Sequence, residues 1–529
     1  MANNDLVLST YQKDILNEVK NGNSNIAINA VAGSGKTFTI SLCCNELEGY
    51  KQSDVLFLAF NKSIVQELEK KIGKKAIVKT THGFGLYILK QNYRILREAK
   101  GDEIKKYIDE RKYSRYIKMD CETLVNRGFY DKNDMEDLYD NACDLFDLCR
   151  VNMIDRNDIQ GIMRVKSHYG IPFAGESSKP NYGCEVRLVQ KYLSVSRELN
   201  WQNPVMDYID MLVIPATTFA ARIKPFKLVF IDECQDLNAA QRALMVAASR
   251  YGRFIAVGDR RQAINGFAGA NNDSFDQIAA LPNTKELPLS VNYRCGKAMI
   301  NLAKGIVPEI EAHEGAIEGN VEHLYELKLS DFHANDMVIC RKSSPCVTMA
   351  MKLIRNNVPA IVKGKKIGEG LKRLMEKSKT STIRGFKTWS ETYLDKLAKD
   401  LAKAEKISPQ DAQSLGKYIS EEDKIECILA IGEDKPNLKD IANHIDSLFT
   451  DKNIENAVVF STCHKAKGLE ADRVMILLPD KLPMMWRDQL EWEYEQEMNL
   501  KYVALTRAKK ELVFVNIEQE NLTSIEFKN

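Results

Sequence analysis

The sequence predicts an α/β fold built on parallel sheets. Short, continuously apolar runs recur and stop abruptly at polar or charged residues, as strands buried on both faces do. One of these runs leads through a glycine-bearing loop into a helix-like stretch, the order of a phosphate-binding unit. Two long tracts, 90–205 and 363–450, break this rhythm and read as helical insertions. With 529 residues the chain exceeds one core, so two to four domains are expected.

In chain order, Leu8-Ser9-Thr10-Tyr11-Gln12 precedes a helix-like stretch over 13–19. The Gln12 amide offers a donor and an acceptor, which suits the edge of adenine. That signal gains weight only from the loop downstream. Ile26-Ala27-Ile28 reads as a short buried strand, followed by Asn29-Ala30-Val31-Ala32-Gly33-Ser34-Gly35-Lys36-Thr37 and a helix over 38–47. Gly33 and Gly35 lack a Cβ, so the backbone can turn sharply and approach a ligand. The N–H groups of Ala32, Gly33, Ser34 and Gly35 and the positive helix end would face phosphates. Lys36 would reach the β- and γ-phosphates, and Thr37 would hold Mg²⁺ through its hydroxyl. Ala30 stands where such loops usually begin with Gly. A glycine turn with a surface lysine is the plainer reading, and the flanking strand and helix count against it.

Residues 55–60 form a second apolar run, ending at Asn61-Lys62-Ser63, where a helix begins. Residues 77–83 read as a further strand with polar residues at its end. Ligands of open α/β sheets bind at the carboxyl ends of strands. On spacing alone His82 reads as a structural histidine. In the tract 90–205, helices are expected over 102–111 and 133–148, with Asn133 as a cap. Lys227-Leu228-Val229-Phe230-Ile231-Asp232-Glu233-Cys234-Gln235-Asp236 is a buried strand with acids at its carboxyl end. Asp232 would hold Mg²⁺, and Glu233 would orient and deprotonate an attacking water. A solvated acidic turn is the alternative, and the phosphate loop argues against it.

Residues 254–259 are another strand, with Gln262 on the following loop and Phe267 close behind. Arg294 is a candidate charge clamp, although a lone arginine is more often a surface ion pair. Residues 336–340 start a second α/β series. Lys363, Lys365, Lys366, Lys372, Arg373, Lys377, Lys379, Arg384 and Lys387 then crowd one stretch. A solvated face and a nucleic-acid contact are equally good readings of it. Ser408 and Asn437 look like helix caps. Strands return over 457–460, 474–478 and 512–515, with Ser461 to Glu470 and Tyr502 to Ala508 between them.

The chain is 44% hydrophobic and 28% charged, as in ordinary globular proteins. A net charge of +2 does not announce nucleic acid, yet local charge decides such binding. Twelve cysteines, mostly single, suit a reducing compartment rather than a disulfide scaffold. Cys121, Cys143, Cys149 and Cys184 lack a close C-x-x-C pair, so free thiols are expected there rather than an iron–sulfur cluster. No N-terminal stretch resembles a signal peptide and no run reaches membrane-spanning length.

Taken together, six motifs in order resemble those of the UvrD/Rep/PcrA-like superfamily 1 DNA helicases over nearly the full length. They are the phosphate loop, the Asp232 to Asp236 strand end, Gly258-Asp259-Arg260-Arg261-Gln262, Asn292-Tyr293-Arg294, His464-Lys465-Ala466-Lys467-Gly468-Leu469-Glu470, and Tyr502 to Ala508. Ala59-Phe60-Asn61-Lys62-Ser63 and Thr80-Thr81-His82 are most similar to the F-box DNA helicase branch and compact phage-type relatives.

The resemblance implies two RecA-like P-loop NTPase domains, each with a mainly helical insertion. Core 1A would be 1–89 and 206–285, insertion 1B 90–205, core 2A 286–362 and 451–529, and a short insertion 2B 363–450. No nuclease domain is expected after Arg507. It implies an ATP- and Mg²⁺-dependent DNA helicase moving 3′ to 5′ on single-stranded DNA. Gln12 and Tyr293 would hold adenine, Glu470 the ribose, and Gln262 would sense the γ-phosphate. Arg294 and Arg507 would stabilise charge on the transferring phosphoryl. Phe60, Asn61, His82, Phe267, Thr462 and His464 would contact DNA. Where bacterial members carry Tyr and Trp after the sensor glutamine, this chain has Asn265 and Phe267, so a weaker base grip is expected there.

The implied partners are single-stranded DNA and single-/double-strand junctions, with single-strand-binding or recombination proteins as candidates. The implied protein is a monomer away from membranes, in the cytoplasm of a bacterium or phage-infected cell, or in the nucleus of a eukaryote, serving repair, replication or recombination. A translocase that strips proteins from single strands with little unwinding is the alternative. A nucleotide-gated binding module with a dead motor is a third reading, and the presence of Glu233, Arg294 and Arg507 argues against it.

Overall fold

The structure, a computed structural model, describes residues 8–59, 61–171, 173–174, 182–266, 273–452, 454–525 and 527. The chain divides into two compact units, residues 1–30 with 35–289 and residues 31–34 with 290–529. Phe60 and Phe267, both expected at DNA, lie outside the described residues.

The first unit is organised on β1 (Asn25–Ala30), β2 (Val55–Ala59), β3 (Ile77–Thr80), β4 (Leu228–Ile231), β5 (Arg253–Gly258) and β6 (Thr284–Leu289). They lie in the order β3-β2-β4-β5-β1-β6, every neighbouring pair parallel. The apolar runs exist because both faces are covered, and β2 and β4 are buried at every residue. Alternate residues feed opposite layers. Leu56, Leu58, Val229 and Ile231 pack with Phe84, Ile88 and Leu244. Val55, Phe57, Leu228 and Phe230 pack with Ile15, Val19 and Ile40. Phe57 and Phe230 stack with ring centroids 5.5 Å apart. Truncating either ring to Ala would cost about 3–5 kcal/mol.

Between β3 and β4 the named elements are helical, including Lys112–Asn126, Met135–Val151, Ile159–His168 and Tyr182–Val195. Ile117, Cys121, Leu145, Phe146, Cys149 and Tyr192 share a separate small core there. Three local expectations are corrected. Residues 102–111 do not form an α-helix: Gly101–Tyr107 is a 3₁₀ stretch, Ile108 bridges to Met206, and the Asp109 side chain takes the Arg111 N–H at 3.0 Å, so the helix waits until Lys112. Asn133 is not a cap, because it lies inside the 3₁₀ turn Lys132–Asp134 ahead of the helix. The strand expected over 77–83 stops at Thr80, whose hydroxyl accepts the Gly83 N–H at 3.0 Å and starts the helix Thr81–Asn92.

In the second unit, β7 (Val291–Asn292) and β8 (Glu311–Ala312) pair with each other. The main sheet contains β9 (Asn320–Leu324), β10 (Met337–Cys340), β11 (Ala360–Val362), β12 (Val458–Thr462), β13 (Ala471–Leu477) and β14 (Ala508–Val515). Their order is β11-β12-β10-β13-β14-β9, again all parallel. Between β11 and β12 run the helices Lys365–Ser378, Ile383–Glu405, Pro409–Ala412, Gly416–Gly432 and Leu438–Leu448. Here the helices share one core with the sheet: Ile428, Ile441 and Ile445 join Val338, Phe460 and Met475. Ser408 caps its helix through Asp411 N–H at 3.0 Å, whereas Asn437 starts one with no side-chain capping bond.

Candidate functional site

The phosphate loop joins β1 to the helix Lys36–Asn45. Gly33 and Gly35 stand at φ +66° and +78°, the left-handed region where a side chain is strained. Gly35 is the N-cap, so Lys36 and Thr37 open the helix. Thr37 Oγ1 donates to Asp232 Oδ2 at 2.5 Å, and Lys36 Nζ lies 3.1 Å from Glu233 Oε2. Asp232 follows β4, so the sheet itself brings the loop and the acids together. Glu233 holds φ +52°, uncommon for a non-glycine residue and typical of constrained sites.

Electrostatics here are unbalanced. Burial pulls the Lys36 ammonium down, but Glu233, Asp259 and Asp232 outweigh it and its pKa is raised. Burial, then the neighbouring Glu233, push the Asp232 carboxyl up, against the Thr37 bond and Lys36. Two adjacent acids therefore share one close ammonium. The Ser34 hydroxyl is buried with no hydrogen-bond partner. Orphaned donor, helix N-terminus and paired acids fit a magnesium-bound triphosphate: Ser34, Lys36 and the loop N–H groups would hold phosphate, and Thr37 and Asp232 the cation. Among the described residues no group of three or more His, Cys, Asp or Glu is placed to hold a metal, and all twelve cysteines are free.

Gln262 ends a short turn after β5, and its Nε2 donates to Asp259 Oδ2 at 2.8 Å. Gln12 is buried with both ends of its amide engaged. Its Oε1 accepts the Ser9 N–H at 3.0 Å and its Nε2 donates to Thr39 Oγ1 at 3.2 Å. Ser9 and Gln12 thus form a capping box, a pattern legible as Ser-x-x-Gln. Asn265 donates to Asp236 Oδ1 at 3.0 Å, so its side chain is tied to the acidic strand end.

Asn61, at the end of β2, caps the next helix by accepting the Ile64 N–H at 2.9 Å. His82 packs edge-on to Tyr208, and burial lowers its pKa. Both follow carboxyl ends of strands.

In the second unit the candidates separate. Thr462 and His464 lie at the carboxyl end of β12, where Thr462 caps a helical turn through Lys465 N–H. Burial, with Arg341 and Lys465 nearby, lowers the His464 pKa to about 3. Arg294, Glu470 and Arg507 gather instead near the amino ends of β13 and β14. Arg294 Nε pairs with Glu470 Oε2 at 2.6 Å, and Glu470 Oε1 with Lys509 at 2.7 Å. Arg507 is buried and donates to Val503 O at 2.9 Å and Leu469 O at 3.1 Å. The Tyr293 ring lies against His313, with centroids 4.8 Å apart and the planes tilted by 40°. Within this same unit, Ala32 N–H donates to Tyr502 Oη at 2.8 Å.

The basic stretch is less uniform than its composition suggests. Lys363 is buried and donates to Asp451 O and Lys452 O, and Lys372 pairs with Asp446 at 2.6 Å. Lys365, Lys366, Arg373, Arg384 and Lys387 are exposed.

Two parallel sheets, one carrying a phosphate loop opposite an acidic strand end, make this a P-loop NTPase of two RecA-like domains. The family described as UvrD/REP helicase N-terminal domain matches residues 11–281, and the UvrD-like helicase C-terminal domain matches 318–519. The chain belongs to the UvrD/REP helicase family. It is 23% identical to F-box DNA helicase protein 1 of Schizosaccharomyces pombe over 54% of this chain and 34% of that protein. It is 22% identical to a probable DNA helicase II homolog of Mycoplasma genitalium over 93% of this chain and 83% of that protein. It is 30% identical to ATP-dependent DNA helicase PcrA of Staphylococcus epidermidis over 22% of this chain and 16% of that protein. The chain thus spans about a third of the first of these relatives and most of the second. An arterivirus nonstructural protein 10 helicase aligns over 99% of this chain and 66% of its own at TM-score 0.34 and 12% identity, too remote a likeness to argue from. No described helix is long and apolar enough to cross a membrane.

Proposed function

We propose that this chain hydrolyses ATP with Mg²⁺ to drive movement along single-stranded DNA, 3′ to 5′, separating duplex at junctions. The observation that carries the reading is the pairing of Lys36 with Glu233 and of Thr37 with Asp232 across the phosphate loop and β4. Membership of the helicase family supports ATP as nucleotide and DNA as track.

In this reading Lys36 moves from Glu233 to the phosphates. Thr37 and Asp232 would hold Mg²⁺, which when bound would supply charge neutralisation for the phosphates. Glu233 then orients the attacking water and takes its proton. Gln262 senses the γ-phosphate. Gln12 and Tyr293 hold adenine and Glu470 the ribose, so Arg294 exchanges its Glu470 partner for the phosphoryl. Arg507 adds positive charge against the transition state. Asn61, His82, Phe60 and Phe267 grip DNA from the first core and Thr462 and His464 from the second. The cores are 1–89 with 206–285 and 286–362 with 451–529, and 90–205 and 363–450 are their insertions. The protein acts as a monomer.

The test measures ATP hydrolysis with and without single-stranded DNA, then unwinding of duplexes carrying one tail at either end. DNA-stimulated hydrolysis with unwinding is expected. Hydrolysis that DNA leaves unchanged would overturn the reading. A parallel protein-displacement assay separates unwinding from the stripping of bound proteins.

A further inference from the structure

Gln235 is completely buried, and its amide engages two parts of the first unit's candidate site. Nε2 donates to Glu233 Oε2 at 2.6 Å, and Oε1 accepts the backbone N–H of Asp259 at 3.1 Å. Asp259 is itself buried and accepts Gln262 Nε2 on Oδ2 at 2.8 Å and the Arg261 N–H on Oδ1 at 3.0 Å. One run of hydrogen bonds therefore connects Glu233, Gln235, Asp259 and Gln262. Its polarity is fixed. Turned over, the amide would set its oxygen against a carboxylate and its NH₂ against an N–H.

The backbone makes room for this run. A Cβ on Gly258 would stand 2.6 Å from Gln235 Oε1 and 2.7 Å from Cys234 Sγ. Residue 258 is thus a glycine because a buried side chain crosses the end of β5. Glu233, at φ +52°, needs its surroundings to hold it. Lys36 holds the same carboxylate oxygen at 3.1 Å, but phosphate competes for that ammonium. Phosphate does not compete for a neutral amide N–H already aimed at the carboxylate.

We propose that Gln235 is a positioning residue. It fixes the Glu233 carboxylate for its work on the attacking water and ties that carboxylate, through Asp259, to the sensor Gln262. The inference rests on the roles proposed for Glu233 and Gln262 in ATP hydrolysis.

The test uses the full chain with Gln235→Met, which keeps length and removes both amide bonds. The expected result is a split. DNA-stimulated kcat falls about 10–100-fold, the scale of a misplaced reacting group. KM for ATP and the Kd of a fluorescent non-hydrolysable ATP analogue stay within about twofold. Hydrogen exchange in a peptide covering 258–262 speeds up, while peptides covering β1 and β2 are unchanged. If Gln235→Met fails to fold, Gln235→Asn, too short to reach both partners, should give the same split. Unchanged kcat in the variant, with Glu233→Gln inactive, overturns the proposal alone. So does a parallel loss of nucleotide affinity and kcat with a lowered melting temperature, which marks a merely structural residue. A wild-type chain that does not hydrolyse ATP, or a Glu233→Gln variant with normal turnover, overturns the underlying reading and the proposal with it.

Discussion

Thr37 Oγ1 and Asp232 Oδ2 lie 2.5 Å apart, joining the first turn of the phosphate-loop helix to the end of β4. Beside them Lys36 and Glu233 form a second link of the same kind. A buried acid, Asp232, and a half-buried one, Glu233, with one close ammonium leave negative charge that a divalent cation complements.

Lys36→Ala should lower ATP turnover by about 10³-fold, since an ammonium aimed at developing phosphate charge is removed. Glu233→Gln should keep ATP affinity within about twofold and lower turnover by about 10²–10⁴-fold. Chelating Mg²⁺ should abolish turnover in the wild-type chain. Steady-state hydrolysis and equilibrium nucleotide binding check all three, and near-normal turnover in either variant would mean the site is misassigned.

Much of this site was legible because its chemistry is local in sequence. Gly33 to Thr37 and Asp232-Glu233 each sit at the end of an apolar run, and parallel sheets bring such ends together. What escaped was non-local or ambiguous. The edge strand β9, Asn-Val-Glu-His-Leu, is largely exposed and carries polar residues, and β11 has only three residues. The role of Gln235 depends on Asp259, 24 positions away. Gln12 reads as an adenine contact by resemblance, and its amide also bonds Ser9 and Thr39 within the fold. The Ser-x-x-Gln capping pattern was there to be read.

Arg150 anchors the helical tract after β3. It bonds Asp207 through two nitrogens at 2.7 and 2.9 Å and Asp210 at 2.5 Å, and Lys112 adds a bond to Asp210 at 2.9 Å. Removing one partner of a buried network strands the others. Arg150→Met should therefore destabilise the first unit by about 3–5 kcal/mol. Calorimetry should show its transition several degrees lower, and an unchanged melt would show the network to be worth little.

His464 provides a pH signature. In an unfolded chain a histidine titrates near 6.5, and here its pKa is depressed to about 3. The folded state thus disfavours the proton. Stability from the neutral ring is full above about pH 6.5 and is lost as pH falls toward 3. His464→Gln cannot titrate, so its melting temperature should fall less than the wild type's between pH 7 and pH 5. His82 is shifted in the same direction and retains part of the wild-type slope. Parallel melting curves for the two proteins across that range would defeat the assignment.

Direction of movement is the last prediction. The phosphate loop and the Thr506-Arg507-Ala508 segment occur in helicases of both polarities, so they do not decide it. The stretch after Gln262, ending Phe267-Ala268-Gly269-Ala270, and Asn292-Tyr293-Arg294 resemble the 3′-to-5′ branch. Each unit carries candidate grips at the carboxyl ends of its strands: Asn61 and His82 after β2 and β3, Thr462 and His464 after β12. A motor that travels must hold with one unit while the other lets go, and its nucleotide state must set which. Substrates with a 3′ tail alone should be unwound and those with a 5′ tail alone should not. Weakening one grip, as in Asn61→Ala, should lower unwinding per ATP consumed more than it lowers hydrolysis. Efficient unwinding from a 5′ tail alone would reverse the polarity assigned here, whatever the hydrolysis data show.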